Sequence, residues 1–244
     1  MMWVLAIDTS SPGGAVALLR DDDVIVEHAG DPAVSHVVRL PGALAEVLAA
    51  ATLAPSALDL LAVASGPGAF TGLRVGLATV QGLALALDRP TVGVSSLAAA
   101  AWRYFDQEPA IATCAVWLDG ARGDVFAAAF ARPAGGAGAW PLEEIVAPSV
   151  DTPAATLERW RQVVPAGAPL LLGPGARGRE QAIAAGRLVV AAEAPLAVPV
   201  GRIAWRAHAA GRSGPPHALA PLYVRRPDAE VERDRRLGVG VPSP

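Results

Sequence analysis

The stretch Ser65-Gly66-Pro67-Gly68-Ala69-Phe70-Thr71-Gly72-Leu73-Arg74 decides how the rest of this 244-residue chain is read. Before it, Leu60 to Ser65 is a short apolar run bounded by turn residues, the signature of a buried strand. After it, Leu73 to Leu87 is apolar or small apart from Arg74, Thr79 and Gln81, the signature of a helix. A glycine-rich turn between strand and helix places the chain in the α/β class. Such a turn has two readings. Its backbone N–H groups, aided by the helix dipole, can cradle an anion, with Thr71 capping the helix through its hydroxyl. Alternatively its glycines serve only a tight, closely packed connection. The chain contains no Lys, so a nucleotide-binding loop of the Gly-Lys-Ser/Thr kind is excluded, and the Gly-x-Gly-x-x-Gly spacing is absent too.

Working outward, Trp3 to Asp8, Gly14 to Leu19 and Val24 to Ala29 read as a three-strand antiparallel meander, separated by Ser-Ser-Pro-Gly and Asp21-Asp22-Asp23 turns. Val37, Leu40, Leu44, Val47, Leu48 and Ala51 recur at helical spacing over Ser35 to Ala51. Pro41 falls inside that pattern and predicts a bend, or a helix start nearer Leu40. Thr91 to Val94 is then a strand and Ser95 to Tyr104 a helix, giving the order βββαβαβα. A similar order follows: strands at Ile111 to Leu118, Val125 to Phe130, Glu144 to Ala147, Leu170 to Gly173 and Leu188 to Val190, with helices near Pro153 to Val163, Arg179 to Ala185 and Val200 to Ala210. The fold expected is a duplicated α/β fold. Its domains are residues 1–105 and 106–226, with Pro221 to Arg226 as a last extended piece and 227–244 as a flexible tail.

Composition narrows function. Twenty Arg against 23 Asp plus Glu give a net charge of −3, which excludes a chain that binds nucleic acid by charge alone. Between Arg225 and Arg236 five Arg face four acids, too little excess for a phosphate-binding patch. The single Cys114 cannot form an internal disulfide. The four His, at 28, 36, 208 and 217, lack metal-ligand spacing, so no metal site is expected. Met1 to Asp8 does not read as a signal peptide, and the charge-free run Val75 to Leu87 is 13 residues, short of the roughly 18 to 20 that span a membrane. A soluble, cytoplasmic protein is the expectation.

Asp8-Thr9-Ser10-Ser11 at the end of the first strand offers a carboxylate and hydroxyls, either for a metal-bound nucleotide or for a self-bonded turn. Asp8, Thr9, Gly66, Gly68 and Thr71 are therefore the candidate cofactor residues, although no cofactor is expected. Asp119, Arg122 and Asp124 in the Leu118 to Phe126 hairpin form a polar site or an exposed turn with a local ion pair. Gly173-Pro174-Gly175-Ala176 is a second strand-to-helix glycine turn. The Leu73 to Leu87 helix is too apolar for one buried face. Gly72, Gly76, Ala78, Gly82 and Ala86 add small residues at four-residue steps that would let a partner helix approach.

Several of these segments together resemble the TsaB (YeaZ) family of bacterial tRNA N6-threonylcarbamoyladenosine proteins. They are Leu5 to Ser10, His36 with Leu40-Pro41, Gly66 to Gly76, Gln81 to Ala84, Gly93 to Leu97, Asp119-x-x-Arg122-x-x-Val125-Phe126, and Pro221 to Arg225. The resemblance implies an actin-like, Hsp70-like fold of two duplicated domains. It implies a non-catalytic partner that binds and stabilises the catalytic subunit TsaD, joined by the ATPase TsaE, with the threonylcarbamoyl group arriving as an adenylate and tRNA engaged only within the complex. It also implies pairing through the first two helices, with a homodimer competing for the same surface. His36, Leu40, Leu44, Leu73, Arg74, Gly76, Val80, Gly82 and Leu83 are the residues expected there. The metal-binding His pair of TsaD aligns with Ser96 and Ala100, so no catalytic residues are expected. The alternative is an independent actin-like ATPase or small-molecule kinase using Asp8 and the Gly66 to Gly72 loop.

Overall fold

Alternation along the first strand explains the layering. In β1 (Trp3–Asp8) Leu5 and Ile7 point to one side and Val4 and Ala6 to the other, and all four are fully buried. A strand covered on both faces must lie inside a sheet with helices above and below. The structure, a computed structural model, describes residues 1–132, 141–173, 176, 178–191 and 195–225.

Around β1 stand β2 (Ala15–Arg20) and β3 (Asp23–Ala29), both antiparallel, and β4 (Leu60–Gly66) and β5 (Thr91–Ser95), both parallel, in the order β3-β2-β1-β4-β5. The second sheet repeats this arrangement. There β6 (Thr113–Asp119) is flanked by antiparallel β7 (Val125–Ala131) and β8 (Glu143–Asp151) on one side, and by parallel β9 (Leu170–Leu172) and β10 (Val189–Ala191) on the other. The duplicated βββαβαβα order read from sequence is the actin-like fold observed.

Five layers result. α1 (His36–Ala50) and α2 (Phe70–Leu87) cover the outer face of the first sheet, where Leu40, Val47, Leu73, Leu77 and Val80 meet Leu5, Ile7, Leu61 and Val63. Each such side chain removed from water stabilises the fold by about 1.5–3 kcal/mol. α4 (Pro153–Trp160) and α5 (Arg179–Ala184) cover the outer face of the second sheet. Between the sheets lie α3 (Ser96–Gln107) and α6 (Ala197–Ala209), and one continuous core runs through both. α6, from the second half of the chain, packs on β1, β2, β4 and β5 of the first sheet, and α3 bridges β4 and β5 of the first sheet to β6 and β7 of the second.

Some boundaries differ from expectation for identifiable reasons. α1 begins at His36, not near Leu40, with Pro41 inside it. Val37 and Pro41 are both exposed, so proline's missing donor falls on the solvent side of the helix, where it costs least. α2 starts at Phe70, a turn earlier than predicted, after Ala69 as N-cap without a side-chain bond; Thr71 therefore lies inside the first turn and is not the cap. With that turn α2 reaches 18 residues, long and apolar enough by length and composition to cross a membrane, but its inner face is used on β4. Pro221 to Arg225 is not a strand; it lies along α2, as described below. The predicted tail at 227–244 and positions 174 and 175 of the second glycine turn lie outside the described residues.

Candidate functional site

Two places in the first lobe need explanation: the turn where the glycine loop meets the end of β1, and the outward faces of α1 and α2.

At the turn, the Ala69 N–H donates to the Ser10 carbonyl at 2.9 Å, which lays the glycine loop directly on the Asp8-Thr9-Ser10 segment. A Cβ on Gly68 would come inside 3.0 Å of the Ser10 backbone, and one on Gly72 or Gly76 would do the same to the Thr9 carbonyl or hydroxyl oxygen. Glycine is required here for close approach of two segments of the same chain. Asp8 is buried. Its Oδ1 accepts from Ser10 N–H at 2.8 Å and Ser10 Oγ–H at 2.6 Å, and the Leu196 N–H at the start of α6 lies on its carboxylate side. Burial pushes its pKa up, opposed by those bonds and by nearby His36. Asp8 Oδ2 and Thr9 Oγ1 have no protein partner. His36 stacks against this turn, and Arg39 donates to its Nδ1, which leaves the remaining imidazole proton on Nε2. Burial, then the Arg39 charge, lower the His36 pKa.

An actin-like fold raises the question of a nucleotide and its metal. The residues present do not fit one: where phosphates would approach the loop, the Ser10 backbone already lies, and Asp8 is sealed beneath it, its Oδ1 taken by Ser10. Of the candidate cofactor residues, Asp8, Thr9, Gly66 and Gly68 come together here as packing and turn elements, while Thr71 sits exposed on α2. Ser96 and Ala100 are buried in the core between the sheets, at the start of α3.

The nine residues expected at a partner interface divide in two. Leu40, Leu73, Gly76 and Val80 point inward and belong to the chain's own packing. Arg74 and Gly82 are exposed, and His36, Leu44 and Leu83 are half-buried. Of the small-residue stripe, Gly72 and Gly76 thus serve contact with Thr9, and Ala78, Gly82 and Ala86 face outward. The outward surfaces also carry Val37 (64% exposed), which the helical repeat groups with the inward-facing Leu40 and Val47, and Val38 (71%) and Leu85 (78%), which sequence reasoning did not single out. A Cβ at Gly82 would meet nothing within 4 Å. Arg74 is the one charged side chain in α2.

Sequence reasoning also missed how the chain's last described segment flanks α2. Gln81 Nε2 donates to the carbonyls of Leu219 (2.9 Å) and Pro216 (3.3 Å), and Leu222 N–H donates to the Ser65 carbonyl (2.8 Å). In the β6–β7 turn, Asp119 accepts from the Ala121 N–H, and Asp124 pairs with Arg225.

Two lobes of the actin-like kind, a glycine loop closed on its own β1 turn, and two helices with exposed apolar side chains define the class: a duplicated α/β protein of the actin-like fold. The family model for the tRNA N6-adenosine threonylcarbamoyltransferase TsaD matches residues 31–165. The tRNA threonylcarbamoyladenosine biosynthesis protein TsaB of Escherichia coli is 33% identical over 165 residues, 66% of this chain and 68% of that one. TsaB of Bacillus subtilis is 43% identical over 107 residues, 43% of this chain and 47% of that one, so the match spans about half that relative's length. The solved structure of YeaZ from Pseudomonas aeruginosa superposes with a TM-score of 0.74 at 28% identity, covering 91% of this chain and all of that one. The chain belongs to the TsaB (YeaZ) family.

Proposed function

We propose that this chain is a non-catalytic scaffold subunit of the machinery that makes N6-threonylcarbamoyladenosine in tRNA, and that it binds and stabilises the catalytic subunit TsaD through the outward faces of α1 and α2. The observation that carries this reading is the exposed apolar surface of Val37, Val38, Leu85 and the open Gly82 on two helices of a TsaB-family chain. Val37 and Val38 stand side by side at the start of α1, and an exposed apolar patch of this kind marks an interaction site. Kinship supports the choice of partner: the stretch that matches the TsaD model contains both helices, so a TsaD chain presents a corresponding pair for a pseudo-symmetric contact. TsaE and tRNA join the assembled pair. A homodimer through the same helices competes with it. Ser96 and Ala100, where TsaD carries its metal-binding His pair, supply no ligand set for the transfer chemistry.

Light scattering on the purified chain mixed with TsaD tests this. A complex with the summed mass of one chain of each is expected, with no ATP hydrolysis by this chain alone. TsaD eluting at its own mass in the mixture overturns the proposal.

A further inference from the structure

The segment that follows α6 returns from the second lobe and lies across the first as a strap. Thr91 and Gly214 exchange backbone hydrogen bonds of 2.8 and 3.0 Å, Gln81 holds Pro216 and Leu219, and Ser65 holds Leu222. At its far end Arg225 donates to the Gly120 carbonyl at 2.6 Å and pairs with Asp124 in the second lobe. The backbone is thus pinned along its length and at both ends.

Its large side chains remain open. Tyr223 is 39% exposed and stacks on Phe70, itself 41% exposed, with ring centroids 5.5 Å apart and planes 27° from parallel. The Arg74 guanidinium sits 4.0 Å from the centre of the Phe70 ring, and its Nε–H donates to Tyr223 Oη at 3.2 Å. Aromatic rings and Arg held rigidly but uncovered are the composition of binding hot spots. The cluster is continuous with the two-helix face: Phe70 opens α2, and Gly72, in the same turn, abuts His36 of α1, next to Val37 and Val38.

We propose that Tyr223, with Phe70 and Arg74, is an anchor of the docking face for TsaD, so that the partner reads a surface built from both lobes. This rests on the function proposed above. The occupant is TsaD and not a second copy for a reason of symmetry. The stretch matching the TsaD model, 31–165, includes α1 and α2 but ends before the strap. Helices common to both chains pair with themselves as well as with each other, whereas the strap adds a feature outside that common stretch, which distinguishes the two subunits.

The test is the affinity of the full-length chain for TsaD by titration calorimetry, with self-association followed by light scattering. Tyr223→Ala is expected to weaken TsaD binding tenfold or more with an unchanged melting temperature, and Tyr223→Phe, which keeps the stack, to retain most of the affinity. If Tyr223→Ala melts early, Tyr223→Leu fills the space without a ring and the same loss is expected. Wild-type TsaD affinity in these variants, while Gly82→Arg abolishes binding, overturns the anchor and leaves the scaffold function standing. Wild-type affinity in Gly82→Arg as well overturns both. A change confined to self-association assigns the clasp to a second copy and also overturns the inference.

Discussion

The carboxylate of Asp8, at the end of the first strand, is buried against the turn of Ser10, whose backbone N–H and hydroxyl both donate to its Oδ1, at 2.8 and 2.6 Å. It is a turn and packing residue beside the start of the last helix. Its other oxygen, Oδ2, is buried without a hydrogen-bond partner. Burial raises the folded-state pKa above its unfolded value, so the contribution of this group to stability is full at low pH and is lost as pH rises through the folded value. Asp8→Asn keeps an acceptor oxygen and removes the charge. Its Tm should exceed that of the wild type at pH 8 by a few degrees, on the scale of the ~2–4 °C that 1 kcal/mol is worth at this chain length. The advantage should shrink towards pH 4, as paired thermal melts will show.

Glycines on the same two helices should respond to Ala in opposite directions. At Gly72 the added methyl meets the Thr9 backbone, which cannot swing aside, and a loss of about 1–3 kcal/mol is expected. At Gly42, in α1, nothing lies within 4 Å, and the more helix-favouring residue should gain about 0.5–1 kcal/mol. Urea denaturation of the two variants measures both signs.

Gly82→Arg places a long cation on the open, outward side of α2. The monomer should melt as the wild type does, and pairing with TsaD should disappear. Unchanged co-elution with TsaD would count against the assignment of this face.

Cys114 is fully buried in the core between the sheets, and burial pushes its thiol up to about 12. It stays protonated and unreactive at ordinary pH. A thiol reagent at pH 8 should label the native chain only as fast as the protein opens, and labelling should become immediate in denaturant. Rapid modification of the folded chain would contradict the burial.

The duplicated strand order was legible because period-two patterning and turn residues are local signals: Trp3 to Asp8 falls where β1 is observed. The first turn of α2 was not legible, because the glycine loop owes its shape to contact with Ser10 and Thr9, nearly 60 residues away in sequence. The same long-range contact turned two of the five residues of the small-residue stripe, Gly72 and Gly76, inward, and Leu40, Leu73 and Val80 pack on the sheet, so an apolar helix was recognised while its free side was only partly assigned. Val37 was read into the repeat of the buried face and Val38 was passed over, because a helical repeat marks apolar positions, not the direction in which a sheet lies. The strap escaped notice for a similar reason: Gln81 and Leu219 are 138 positions apart, and no local pattern announces that Arg225 will meet Asp124.

The placement of α3 and α6 between the sheets has a mechanical consequence. Swinging one lobe away from the other would pull β6 and β7 off α3 and open the single core, exposing Val116, Phe126 and Phe130 to water. Clamshell motion is therefore costly for this molecule. A partner docking on α1 and α2 would meet a stiff tile, and little of the energy of association would go into ordering that surface.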